Sequence, residues 1–98
     1  RTDILYTISY LQFELKNFNE SLTNLDILIN NSLTEEMYVS VSKSDNSRQE
    51  ILMRAQLHYL KGLIYSEQNN KDLAKISFEK SVEISSDFQN VIDKLNLL

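Results

Sequence analysis

His58 is the only histidine in this chain of 98 residues, and histidine is the side chain whose ordinary pKa lets it exchange a proton near neutrality. Its neighbours are Leu57, Tyr59 and Leu60. A histidine in such a run is expected to pack on a helix rather than serve as a base. Serines are plentiful, but a nucleophilic serine needs a glycine-rich elbow and a phosphate site needs a glycine-rich loop. No such loop surrounds any of them. Asp26 and the Glu35–Glu36 pair form no ligand cluster and read as solvated, and Asp72 stands where the start of a helix favours negative charge. With no cysteine, disulfides and thiolate metal sites are excluded. No catalytic residue, metal or cofactor is expected, so the chain reads as a non-enzyme. Asn19-Glu20-Ser21 and Asn30-Asn31-Ser32 fit a glycosylation sequon, but patterns this short arise by chance.

If chemistry does not define the chain, the elements that carry its side chains must. Ninety-eight residues allow one small domain with one modest core. The chain has no proline and a single glycine, too few for strands joined by tight turns, so helices joined by short polar loops are predicted. Net charge is −4 with no Lys/Arg cluster, which argues against nucleic acid. No apolar run approaches the ~20 residues of a membrane span. The sequence opens on Arg1 rather than Met, as expected of a processed or excised piece. The compartment stays open between cytoplasm and bacterial periplasm.

Apolar residues at helical spacing predict five helices. The first runs from about Thr2 to Leu15. Its apolar residues occupy most of the circumference, so it is expected to bury two faces. The second follows a turn at residues 16–19 and runs to about Asn31. The third runs from Arg48 to about Glu67, the fourth from about Lys71 to Ile84, and the last from Asp87 to the end. Asn17 with Glu20, Ser47 with Glu50, and Ser86 with Gln89 read as capping signals at three helix starts. Between the second and third helices, Met37, Val39 and Val41 alternate with polar residues as a short extended segment would. Ser44 to Ser47 read as a loop. The whole stretch is expected to be an insertion.

Gly62 and Ala74 stand twelve residues apart on the third and fourth helices, with Tyr65 and Phe78 three and four residues beyond them. Small residues at that spacing let two antiparallel helices approach closely while the rings fill the space alongside. With Ala55, this pattern resembles the tetratricopeptide repeat, a helix–turn–helix unit that stacks into solenoids. His58, Lys61, Ser81 and Ser86 depart from the usual pattern. A shift of 53 residues places Ser9 on Gly62, Ser21 on Ala74, Tyr6 on Tyr59, Asn17 on Asn70 and Leu25 on Phe78, a weaker first copy. The resemblance implies an all-α fold in a single domain: repeat one over about 2–33, an insertion loop at about 34–47, repeat two over about 48–86, and a capping helix over about 87–98. The two repeats would form a short right-handed α-solenoid.

The resemblance also implies a function: binding other proteins, with the first helix of each hairpin lining a concave face. Tyr6, Tyr10 and Phe13 fall at i, i+4 and i+7 and so share one side of a helix. Tyr59 and Leu63 would continue that face from the second repeat, with Gln56, Ser66 and Glu67 at its edge. A partner helix or peptide is the expected occupant, and Ser9, Ser21, Gly62, Tyr65, Ala74 and Phe78 are expected to hold the helices together. The Lys, Arg and Asn clamp by which some relatives hold acidic tails is not matched. The alternatives are a homodimer formed through the apolar face, or a structural subunit of a larger assembly such as a bacterial envelope complex.

Overall fold

Apolar side chains three and four residues apart bury one side of a helix, and they do so in five segments of the computed structural model, which describes residues 1–98. These are α1 (Thr2–Glu14), α2 (Phe18–Ile29), α3 (Met53–Glu67), α4 (Lys71–Ile84) and α5 (Gln89–Leu97). Helices α1 and α2 form one antiparallel hairpin and α3 and α4 a second, with α2 packed on α3 and α5 on α4.

The turns of the two helical hairpins are the same device. Lys16 and Asn69 adopt left-handed backbone, with φ 63° and 59°. Asn17 N–H then donates to Gln12 O, and Asn70 N–H to Tyr65 O, each at 2.8 Å. This is the bonding that ends a helix at a left-handed residue, and it recurs at the 53-residue shift.

The chain is not all-α. A short 3-10 turn (Ser32–Thr34) leads into two antiparallel strands, β1 (Tyr38–Ser42) and β2 (Arg48–Leu52), with Val39 opposite Ile51 and Val41 opposite Gln49. The alternating segment seen in the sequence is β1. The expected helix start at Arg48 is instead β2, and α3 begins at Met53. Ser47 caps no helix: its N–H and Oγ bond to Asp45 Oδ1 at 3.0 and 2.6 Å, closing the β-turn in which Asn46 is left-handed. Burial decides the strand. Val41 and Ile51 belong to a cluster with Ala55, Ala74, Phe78, Phe88 and Val91, which a solvated loop could not join. Asn17 and the start of α5 likewise make no side-chain cap. The Asn70 side chain does, accepting from Leu73 N–H at 3.3 Å.

Leu25 and Leu28 of α2 pack with Met53, Leu57, Leu60 and Ile64 of α3 in a second cluster. Within the second helical hairpin the ring of Phe78 lies against Gly62. A Cβ at position 62 would meet Phe78 Cε1 at 2.3 Å and Cδ1 at 2.5 Å, so it is this ring that requires glycine. Ala74 is fully buried with Phe78 in the first cluster, the one that holds Val41 and Ile51, and Tyr65 packs half-buried at its edge. Two departures from the repeat pattern have partners: Ser81 Oγ donates to Ala55 O at 2.7 Å, and Lys61 reaches Asp26 of α2 at 2.8 Å.

The expectation of two buried faces on α1 is corrected. Only Ser9 is buried there, while Leu5, Tyr6 and Phe13 are half-buried. Ile4, Ile8, Leu11 and Leu15 are 41–72% exposed, because no other element within residues 1–98 packs on that stripe.

Candidate functional site

Tyr6, Tyr10 and Phe13 rise along one side of α1 as a ladder of rings, with centroids 6.4 and 6.1 Å apart, and Phe18 extends it at 6.4 Å. Across from them stand Gln56, Tyr59, Leu60 and Leu63 of α3. The space between holds about 510 Å³, within the range of a ligand-binding cleft. All five side chains expected to meet a partner line it: Tyr6, Tyr10, Phe13, Tyr59 and Leu63. Ser66 and Glu67 instead border a smaller depression beside Phe13 and Leu63.

The five are not equivalent. Tyr10 is 37% exposed and touches only other rings of the ladder among the aromatic residues. Tyr59 is anchored: its ring lies 6.0 Å from Phe78 and meets Phe88 edge-on at 5.2 Å. Half of Tyr59 is therefore core, and half is groove wall. Burial pushes the hydroxyl pKa of both Tyr6 and Tyr59 up. Both remain protonated at neutral pH and able to donate.

The β-hairpin supplies a wall that the helical pattern did not announce. Ser40, Val41, Ser42 and Arg48 line the groove, and Asn90 of α5 joins them. Arg48 is fixed by three hydrogen bonds within the hairpin: Nε to Ser40 Oγ at 3.1 Å, Nη1 to Ser42 Oγ at 2.6 Å and Nη2 to Ser40 O at 2.9 Å. It has no carboxylate within ion-pair distance. The hairpin is held to α5 by Gln49 Nε2 to Asp87 O (2.6 Å), Gln89 N–H to Gln49 Oε1 (3.2 Å) and Asn90 Nδ2 to Ser42 O (3.0 Å).

Gln56 was legible only as an edge residue. It is 5% exposed, lies beside the Tyr6 hydroxyl, and its Oε1 has no hydrogen-bond partner. His58 does not line the groove. Burial, then the nearby Lys61 and Lys80 charges, lowers its pKa to about 4. At neutral pH it is an uncharged packing residue.

Residues 55–88, which include most of α3 and all of α4, match the family model of the tetratricopeptide repeat. No curated protein and no solved structure matches the chain.

Proposed function

We propose, from the tetratricopeptide repeat formed by residues 55–88, that this chain is a non-catalytic interaction module holding a partner helix or peptide in the groove between α1 and α3. Repeats of this family generally mediate protein–protein contacts. The observation that carries the reading is the convergence of Tyr6, Tyr10, Phe13, Tyr59 and Leu63 on one groove. Aromatic rings supply large contact area with little side-chain entropy to lose, which suits them to an interface. On this reading α1 and α2 form a first repeat, the β-hairpin interrupts the solenoid between repeats, and α5 caps it. The shared turn geometry at Lys16 and Asn69 supports that first repeat.

The test is capture of a partner from an extract of the source organism, with Tyr10→Ala as control. Specific capture by the native chain that the variant loses while remaining folded supports the groove. Capture that survives the substitution removes it.

A second reading is favoured by the stripe Ile4, Ile8, Leu11 and Leu15 on α1. At 100° per residue these four fall within about 60° of the helix circumference, and of the four only Leu11 also lines the groove. Such a stripe suits a structural subunit, in a homodimer or in a larger assembly such as a bacterial envelope complex. Light scattering across a concentration series separates the self-association version: a mass that stays at one chain removes it.

A further inference from the structure

Leu15 stands 72% exposed at the end of the stripe that Ile4, Ile8 and Leu11 begin. Steps of four, three and four separate these residues, the a and d positions of a heptad seam. That spacing reads the same from either end. A second α1 laid antiparallel on the first would set Ile4 against Leu15 and Ile8 against Leu11. The two ends of the stripe differ in shape. Beside Ile4 lies a depression of about 340 Å³, lined also by Leu5, Ile8 and Leu33. One end of the stripe has a hollow, and the other has a knob.

We propose that α1 pairs with α1 of a second copy of this chain, antiparallel across a two-fold axis between Ile8 and Leu11, with Leu15 of each copy seated in the depression of the other. The proposal rests on the self-association reading above and gives it a geometry. A two-fold contact uses one patch twice and closes on itself. At the far end α5 already packs on α4, so copies do not stack head to tail. A parallel pair would leave both hollows empty and set Leu15 against Leu15. Charge fits the antiparallel pair. Each end brings Arg1 and Asp3 of one copy beside Glu14 and Lys16 of the other, two cations with two anions, so no net charge opposes the contact. The exposed parts of Ile4, Ile8, Leu11, Leu15 and Leu33 amount to about three whole aliphatic side chains per copy, on the order of 300 Å². Both copies together, with a polar rim, approach the roughly 1,000 Å² of a specific interface. The dimer therefore belongs among the weak, concentration-dependent ones.

Sedimentation velocity from about 5 to 500 μM, a span that brackets weak association, tests the contact. The native mass should rise from one chain towards two. Leu15→Glu should weaken dimerisation about a hundredfold or more, because two seated side chains are lost at once. Its helical circular dichroism and Tm should stay near native, since an exposed position tolerates substitution. Orientation is read by cross-linking, which the absence of native cysteine makes clean. In a mixture of Ile4→Cys and Leu15→Cys, oxidation should give the mixed dimer in preference to either homodimer. Each variant cross-linking with itself instead would overturn the antiparallel pair and leave self-association standing. A Leu15→Glu variant that dimerises like the native chain would overturn the seating of Leu15. A mass that stays at one chain throughout would remove the self-association reading and this proposal with it.

Discussion

The Ser21 hydroxyl donates to the Ser9 carbonyl at 2.8 Å across the first helical hairpin, with both residues fully buried. Two small side chains bring α1 and α2 together there, and one of them stitches the contact with a hydrogen bond. In the second hairpin Gly62 yields its space to the Phe78 ring. Both hairpins depend on small residues at the contact, and the second adds the ring to a polar bond of its own, Ser81 Oγ to Ala55 O at 2.7 Å.

Replacing Ser21 separates room from bonding. Ser21→Ala keeps the room and loses the bond, a loss of about 1 kcal/mol. Ser21→Leu must force α1 from α2 and should cost about 3 kcal/mol. Urea midpoints of the two variants check the order. A Leu variant as stable as the Ala variant would show that the helices are not held close at this point.

Gly62→Ala sets two effects against each other. Alanine gains about 1 kcal/mol in helix propensity. Its Cβ would lie 2.3 Å from Phe78 Cε1, and Phe78 is fully buried, so overpacking of about 1–3 kcal/mol opposes the gain. Overpacking should win by about 1 kcal/mol. In a Phe78→Leu background the same change should become neutral or stabilising, which a double-mutant cycle measures.

Tyr10 and Tyr59 line the same groove but should behave differently. Tyr59→Ala strips a ring from between Phe78 and Phe88 and should cost about 3 kcal/mol. Tyr10→Ala removes a ring 37% exposed and should cost no more than about 1 kcal/mol. Thermal denaturation of the two variants distinguishes them. Equal losses would place Tyr10 in the core and weaken its reading as a contact residue.

His58 should make stability fall in mild acid. Its folded pKa of about 4 lies below the ordinary 6.5, so between those values the unfolded chain binds more protons. This contribution is fully present above pH 6.5 and is lost as pH falls towards 4. His58→Gln should flatten that part of a Tm-versus-pH curve. An unchanged slope in the variant would assign the dependence to other groups.

The helices were legible because a helical period is local. Lys71 to Ile84 reads and folds as one helix, since its buried Ala74, Phe78 and Ser81 recur at fixed steps. The three aromatic residues of α1 were legible for the same reason. The turn at Lys16 was seen but not its left-handed backbone, because lysine carries none of the signal that Asn69 does. Strand β2 was misread because Ser47 followed by Glu50 mimics a helix cap. What decides it is pairing with Val39 and Val41 and burial of Ile51 in the cluster that holds Phe78 and Phe88, neither of which is local. Arg48 and Asn90 reach the groove by that same long-range route, so helical periodicity could not nominate them.

The hairpin interrupts the period between two helical pairs without entering the turn of either, and the side chains of Ser40, Ser42 and Arg48 hydrogen-bond only within the hairpin. They can therefore be rewritten while the frame keeps its spacing. Grafting another loop onto Val39, Val41 and Ile51 would give the same trough a new end stop, a cassette through which such a scaffold could diverge in what it holds without relearning how to fold.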